Sequence, residues 1–274
     1  MKNLHIAFIG AGNMARSIIG GLIEGGLAPS NITACARTEE SLQKTAQEFQ
    51  INTELDPVKA VKDANVVVLA VKPQTLQEVA LAIAPALKQQ TLLLSVAAGI
   101  TTDSMAKWLG QDLAIVRSMP NTPSLLQLGA SGAFANASCS VDQRKIGNDI
   151  LATVGIVEWV DSENLLNPVT AVSGSGPAYY FLMMEAMIDA GVAMGLDRDS
   201  ASKLTLQTAL GAAKLAQEAD VDVAELRRRS GEGQRPEVEL EYLERLLERF
   251  WRDFSAAIAE TSELRITEGL EKIN

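Results

Sequence analysis

The chain has 274 residues, of which 47% are hydrophobic and 21% charged, and its formal net charge is −10 at pH 7. This length and composition allow a core of ordinary size and favour two domains. The acidic balance argues against a nucleic-acid partner, because binding phosphate backbones requires a basic surface. Two cysteines are too few for a disulfide framework, and one histidine, His5, leaves almost nothing for a metal site or a histidine base.

The amino terminus, MKNLHIAFIG, carries an apolar run that is too short for a signal peptide or a membrane span. We therefore expect a soluble cytoplasmic protein in a reducing compartment, with no bound metal and no membrane partner.

Short β-rich runs alternate with helical segments, which predicts a parallel sheet with crossover helices. The predicted strands are 4–9, 32–36, 66–70, 91–95, 113–117 and 156–160. The predicted helices between them are 13–24, 39–49, 74–83, 102–108 and 142–154. After about residue 162 the pattern is helical only. The sequence thus predicts an α/β protein, with a doubly wound Rossmann-type domain at 1–162 and an all-α domain at 163–274.

A first glycine cluster follows the first strand and opens the first helix. Gly10, Gly12 and Ala15 form G-x-G-x-x-A, in which the glycines allow a tight turn and close approach of a pyrophosphate. The spacing alone also fits an ordinary tight turn, but its place between strand and helix favours a dinucleotide. Arg37 and Thr38 follow the second strand, where a cation and a hydroxyl suit a 2′-phosphate and favour NADP over NAD.

Three further signals fall at carboxyl ends of later strands, where open parallel sheets bind ligands. They are AVKPQ at 70–74, VAAG at 96–99 and RSMPNTP at 117–123. Each alone fits a turn, whereas together they predict the walls of a cleft. A second glycine cluster, SGSGP at 173–177, precedes a long apolar helix. It fits either an anion site at the start of that helix or close helix packing around Gly174 and Gly176.

In this order and spacing, GAGNMA, AVKPQ, SVAAG, MPNTP and SGSGPAY resemble pyrroline-5-carboxylate reductase over roughly residues 4–229. The resemblance implies reduction of a cyclic imine by NAD(P)H to L-proline, the last step of proline biosynthesis. It also implies a homodimer built by the helical domain, assembled further into rings in some members.

The resemblance assigns site residues position by position. On the substrate side it implies Asn121, Thr170, Ser175, Gly176 and Pro177, with the Thr170 hydroxyl near the ring nitrogen. On the cofactor side, with NADPH preferred, it implies Gly10, Ala11, Gly12, Asn13, Met14, Arg37, Thr38, Ala70, Val71, Lys72, Pro73, Val96, Ala97 and Ala98.

One segment departs from the family. After AELRRR at 224–229 the family continues with a Thr-Ser-Pro-Gly-Gly-Thr-Thr turn that helps to bind the substrate carboxylate. This chain instead reads SGEGQRPEVELEYLERLLERFWRDF, in which Pro236 begins a predicted amphipathic helix. We therefore expect impaired substrate binding and turnover.

The alternatives to the reductase are a nucleotide-binding dimer without chemistry, a related imine reductase, or a β-hydroxyacid dehydrogenase. The last is disfavoured because no lysine lies between Lys145 and Lys203.

Overall fold

A computed structural model describes residues 4–231 of the chain. It divides into two compact units, the first ending at Pro177 and the second beginning at Ala178. The predicted domain boundary after residue 162 stays a prediction. The predicted amphipathic helix from Pro236 lies outside the described residues.

The first unit is built around one eight-stranded sheet with the order β3-β2-β1-β4-β5-β6-β7-β8. All neighbouring strands are parallel except β6 and β7. The order β3-β2-β1-β4-β5-β6 is that of a Rossmann fold, which confirms the predicted fold class. The strands are β1 (Ile6–Ile9), β2 (Ile32–Cys35), β3 (Asn52–Glu54), β4 (Val66–Leu69), β5 (Leu92–Ser95), β6 (Ala114–Met119), β7 (Gly129–Ala135) and β8 (Gly155–Trp159).

Helices cover both faces of this sheet, and helices alone follow it in the described residues. They are α1 (Asn13–Glu24), α2 (Glu39–Phe49), α3 (Pro57–Val61), α4 (Pro73–Ile83), α5 (Thr102–Leu109), α6 (Val141–Leu151), α7 (Leu166–Val169), α8 (Gly176–Ala193), α9 (Arg198–Glu218) and α10 (Val223–Gly231). Within residues 4–231, none of the helices has both the length and the apolar character needed to cross a membrane.

The core consists of two apolar clusters, one on each face of the sheet. Ile6 and Phe8 of β1 belong to one cluster, and Ala7 and Ile9 belong to the other. Because side chains alternate along a strand, a strand covered on both faces must be apolar throughout. This explains the continuous apolar runs in the sequence.

The prediction of an all-parallel sheet was incomplete, because it missed β3 and β7. The former has three residues, all polar, and the latter is rich in glycine and alanine, so neither shows a strand pattern. Antiparallel pairing with β7 extends β6 to Met119, two residues beyond the predicted end of this strand at Arg117. His5 lies just before β1 and not within it.

The second glycine cluster lies within a nearly continuous helical stretch. A π-helical turn at Thr170–Gly174 follows α7 directly, and α8 begins at Gly176. The predicted start of the helix at Pro177 was therefore one residue late, and no separate helix begins in open chain at this point.

Candidate active site

A cleft of about 490 Å³ opens at the carboxyl ends of β1, β2 and β4. It brings together more than half of the residues predicted to contact a cofactor. Those that line it are Gly10, Ala11, Gly12, Arg37, Thr38, Ala70, Val71 and Lys72. The carboxyl edge of a parallel sheet is where this class of fold binds ligands, so the cleft is the candidate dinucleotide site.

The two glycines of the first cluster differ in whether the packing of the chain explains them. Gly10 has φ +106°, and a Cβ there would lie 2.5 Å from the Ala70 carbonyl oxygen, so packing alone requires glycine. A Cβ at Gly12 would meet no atom within 4 Å. The packing of the chain therefore does not explain Gly12, and its role in the close approach of a ligand stays a prediction.

The amino terminus of α1 meets this open space. Its N-cap is Gly12, which offers no side-chain hydrogen bond, and no acidic residue lies in the first turn. The first bond back to the cap runs from the Arg16 N–H to the Gly12 carbonyl at 3.0 Å. Asn13 and Met14, predicted cofactor contacts, lie in that first turn and contribute backbone N–H groups suited to an anion.

Arg37 and Thr38 lie between β2 and α2. Arg37 is exposed and forms no ion pair within residues 4–231. The Thr38 hydroxyl accepts a hydrogen bond from the Ser41 N–H at 3.4 Å and thereby caps α2, which leaves its own proton free to donate. This end of the cleft therefore offers an unpaired cation and a hydroxyl donor.

Several wall residues escaped the sequence analysis. Thr75, Val79 and Ala82 recur at helical spacing on one face of α4, while Leu76 and Ala80 face the core. That periodicity was visible and could have marked the face. Leu55 and Pro57 reach the cleft beside β3 and α3, two elements that the sequence did not predict.

Cys35 also lines the cleft, at the end of β2. Its side chain is buried, and burial, together with the nearby Glu54 and Asp56 carboxylates, raises its pKa from 9.0 to about 11. The thiol is therefore neutral at physiological pH and makes a poor nucleophile.

The remaining predicted cofactor residues lie beside this cleft and do not line it. Pro73 is the first residue of α4. Val96, Ala97 and Ala98 follow β5, and the Ala97 N–H donates to the Ser95 hydroxyl at 3.3 Å. Their contact with a cofactor stays a prediction.

Asn121, predicted on the substrate side, is hydrogen-bonded to the second glycine cluster. Asn121 is 9% exposed. Its amide donates to the Ser173 carbonyl at 3.0 Å, and its oxygen accepts from the Ala130 N–H at 2.9 Å. Asn121 thus ties the segment after β6 to the second glycine cluster.

Thr170 and Ser175 are linked through the backbone of the π-helical turn. The Thr170 hydroxyl donates to the Leu166 carbonyl at 2.7 Å, and the Ser175 N–H donates to the Thr170 carbonyl at 2.8 Å. The Thr170 oxygen keeps lone pairs and can accept a further hydrogen bond.

The second glycine cluster repeats the contrast seen in the first. A Cβ at Gly174 would lie 2.7 Å from the Met119 Cε, so this glycine serves packing, as one of the two interpretations proposed. A Cβ at Gly176 would meet no atom within 4 Å, so close packing does not explain that position. Over the described part of the chain, no cluster of His, Cys, Asp or Glu side chains could hold a metal ion.

Known proteins share both the sequence and this architecture. Residues 163–231 match the family model described as Pyrroline-5-carboxylate reductase dimerisation, and residues 5–99 match the one described as NADP oxidoreductase coenzyme F420-dependent. The pyrroline-5-carboxylate reductase of Pseudomonas aeruginosa is 53% identical over 229 residues, which are 84% of this chain and 84% of that protein. The chain belongs to the pyrroline-5-carboxylate reductase family.

Solved structures of the family agree with this membership. A pyrroline-5-carboxylate reductase from Coxiella burnetii superposes with a TM-score of 0.84 at 40% identity, over 95% of this chain and 98% of that one. A pyrroline carboxylate reductase from Plasmodium falciparum with NADP bound gives a TM-score of 0.76 at 25% identity, over 92% and 97%. As a member of this family, the chain is an oxidoreductase with a nicotinamide dinucleotide site. The match to the dimerisation model ends at residue 231, where the atypical segment begins.

Proposed function

We propose that this chain reduces the ring C=N bond of 1-pyrroline-5-carboxylate to give L-proline, the last step of proline biosynthesis, with NADPH as the hydride donor. The observation that carries the proposal is the open space at Gly12 above the uncapped amino terminus of α1, in a family whose members are named for this reductase. An uncapped helix terminus without a side chain in the way suits a pyrophosphate.

The preference for NADPH rests on Arg37 and Thr38. A 2′-phosphate carries charge that a ribose hydroxyl lacks, and an unpaired guanidinium binds such a group through charge-assisted hydrogen bonds. Glu39 and Glu40 follow in the first turn of α2, and Glu40 is paired with Lys44 at 2.8 Å, which leaves Arg37 as an unpaired cation at this end of the cleft.

The reduction itself needs little acid catalysis. A protonated cyclic imine is already electrophilic, so hydride can add to the ring carbon while the C=N electron pair moves to nitrogen and gives the secondary amine. Because the Thr170 hydroxyl donates to Leu166, its oxygen is the atom that can accept the iminium N–H. Catalysis then rests on proximity and orientation, which fits a chain with a single histidine.

The substrate carboxylate is assigned to the Ser175–Pro177 turn, beside the open space at Gly176. No lysine or arginine occurs between Lys145 and Arg198, which suits a monovalent carboxylate better than a phosphate. Asn121 has both polar atoms bonded to backbone groups, so we assign it the task of holding this turn in place.

A homodimer follows from the apolar surface of the second unit. Tyr180 and Phe181 of α8 and Leu204 and Leu210 of α9 are each at least 60% exposed in the single chain. Patches of this kind mark association sites, and this stretch is the one that matches the dimerisation model. We place the dimer, and any ring built from it, in the cytoplasm, where the two unpaired cysteines would stay reduced.

The deciding experiment is turnover by the full-length chain with 1-pyrroline-5-carboxylate and NADPH, followed by NADPH absorbance. The matched control is 1-pyrroline, which lacks the carboxylate. We expect reduction of the carboxylated imine to be faster, although slow for the family, because the missing turn removes about 2–4 kcal/mol of carboxylate binding. Equal rates on both imines would favour an imine reductase, and NADPH binding without turnover would favour a nucleotide-binding dimer.

A further inference from the structure

A buried ion pair joins β6 to the segment after β8. The Arg117 Nη1 lies 2.8 Å from the Glu163 Oε1, and the two side chains are 10% and 17% exposed. The other ion pairs of the described residues lie at the surface with at least one partner more than 40% exposed. Removing two charges from water is costly, so a buried pair of this kind needs further hydrogen bonds.

Thr102, the first residue of α5, supplies those bonds. Its N–H donates to the Glu163 Oε1 and its hydroxyl donates to the Glu163 Oε2, each at 2.8 Å. The Glu163 carboxylate therefore accepts three hydrogen bonds, two from Thr102 and one from Arg117. The segment that leads into α5 begins at Val96, in the second of the three predicted walls of the cleft.

Arg117 contacts the same region from the sheet. In the β5–β6 register it lies opposite Ser95, the last residue before Val96. The neighbouring Ser118 hydroxyl donates to the Ser95 carbonyl at 3.1 Å. Glu163 is thus bonded to α5, which follows the Val96–Ala98 loop, and to β6, which pairs with the strand that precedes this loop.

On its other side, Glu163 begins the helical stretch that leads to Thr170. A 3₁₀ turn at Glu163–Leu165 passes directly into α7, whose first residue, Leu166, is 1% exposed. The Leu166 carbonyl accepts the hydrogen bond from the Thr170 hydroxyl. A shift of Glu163 would therefore be carried along a short, hydrogen-bonded helix to Thr170.

We propose that Glu163 is a positioning residue, held by Arg117 and Thr102, that fixes the distance between the Val96–Ala98 loop and the Thr170–Pro177 segment. The inference rests on the proposed function, in which one of these segments holds the cofactor and the other the imine. A displacement of about 1 Å between reacting groups can lower a rate by about a hundredfold. In this arrangement the Glu163 carboxylate contacts neither reactant, so its loss changes the orientation of the reactants and not their affinity.

The first test uses Glu163→Gln in the full-length chain. Glutamine has one carbonyl oxygen, so it cannot accept all three hydrogen bonds and leaves Arg117 without a counter-charge. We expect kcat to fall by about tenfold or more while the Kd for NADPH changes by less than about threefold. Asp149→Asn is the matched control, because it breaks the exposed Lys145–Asp149 pair on α6 and should leave kcat unchanged.

A second pair of variants separates positioning from loss of folding. Thr102→Val removes one hydrogen bond without changing charge and should lower kcat, whereas Thr102→Ser keeps the hydroxyl and should restore it. A merely structural role would lower the thermal midpoint while kcat per NADPH-binding site stayed constant. Unchanged kcat per site in both Glu163→Gln and Thr102→Val overturns the proposal.

Hydrogen exchange provides a readout that does not depend on activity. In Glu163→Gln we expect faster exchange at residues 96–102 and 166–175 together, with α1 and the central strands unchanged. Faster exchange confined to the neighbours of Glu163, or spread over the whole sheet, overturns the proposal even if kcat falls. If the unmodified chain shows no turnover, the proposed reaction fails, and the exchange pattern still decides whether Glu163 joins the two segments.

Discussion

At the scale of single residues, each glycine cluster pairs a glycine that packs closely against a neighbouring residue with one that packing leaves unexplained. Gly10 and Gly174 would clash with neighbouring atoms if they carried a Cβ, whereas Gly12 and Gly176 face open space. In a folded chain, open space beside a glycine is useful where another molecule must approach the backbone. The contrast distinguishes glycines in close contact with the chain from glycines that we propose to be ligand-binding, within motifs that look uniform in sequence.

We expect Gly10→Ala to affect the stability of the fold and Gly12→Ala to affect the binding of NADPH. Gly10→Ala should destabilise the fold by at least about 2 kcal/mol, because its φ is unfavourable for alanine and its Cβ would overlap Ala70. Gly12→Ala should leave stability within about 0.5 kcal/mol but weaken NADPH binding about tenfold or more, since the methyl group occupies the approach to the backbone. Denaturant unfolding and fluorescence titration measure the two effects, and normal NADPH affinity in Gly12→Ala would contradict the assignment.

Arg37 provides a second prediction at this scale. Arg37→Ala should raise the Kd for NADPH by about 10- to 100-fold and leave the Kd for NADH nearly unchanged, because only NADPH carries the 2′-phosphate. Lys59→Ala is a suitable control, since Lys59 is a cation of the same unit that does not line this cleft. An equal rise in Kd for both cofactors would show that Arg37 does not bind the 2′-phosphate.

The two thiols predict a dependence of stability on alkaline pH. Burial is the main cause that raises the pKa of Cys35 and of Cys139 from 9.0 to about 11. Between these values the unfolded chain has lost protons that the folded chain keeps, so the free energy of unfolding must fall as pH rises. We expect Cys35→Ala and Cys139→Ala each to reduce this fall by about 1–3 kcal/mol between pH 9 and 11. Identical pH profiles for the variants and the parent chain would refute this prediction.

At the scale of elements, the sequence predicted the strands and helices whose pattern is periodic or continuously apolar. The bounds of α1 and α2 agree with the prediction. The strands β4 and β5 are buried on both faces, which explains the continuous apolar runs from which they were predicted. The strand β7 was invisible because GASGAFA has small residues in place of β-branched ones. Its small residues are explained by tertiary contacts, which a local pattern does not contain.

One such contact lies between β7 and α7. A Cβ at Gly132 would be 2.5 Å from the Val169 Cγ1, so the helix rests directly on the strand backbone. Gly132→Ala should destabilise the protein by about 1–3 kcal/mol through overpacking. The double variant with Val169→Ala should recover part of that loss, and denaturant unfolding of both variants would measure the coupling. Additive effects would show that the two residues do not compete for space.

The residues of the candidate site that lie next to a strand were predictable from the sequence, whereas those joined by long-range hydrogen bonds were not. Local motifs identified Gly10, Gly12, Arg37 and Lys72, because each follows directly on a strand of the sheet. The bonds of Asn121 to Ser173 and of Glu163 to Thr102 join positions 52 and 61 residues apart. Such pairings depend on how the elements pack, and a single sequence contains no direct sign of them.

At the scale of the whole molecule, the exposed apolar residues of α8 and α9 require a covering surface. We expect the full-length chain to be a homodimer in light scattering at micromolar concentration and a chain ending at residue 161 to be a monomer. Phe181→Glu places a charge on the exposed surface of α8 and should shift the full-length chain toward monomer, whereas Lys145→Glu on α6 should not. A monomeric full-length chain would contradict the proposed assembly.

The strand order also has a consequence for how the protein is made. From β5 to β8 each strand pairs with the strand that precedes it in the chain, so this part of the sheet widens in the direction of synthesis. Only β4 must find an older partner, β1, across the two strands made in between. A nascent chain can therefore add one strand at a time to a sheet that is already formed, and the growing edge is covered as soon as the next strand leaves the ribosome. We expect the sheet to be folded while the helices after Ser162 are still being translated, so that the apolar surfaces of α8 and α9 emerge only after the sheet has formed.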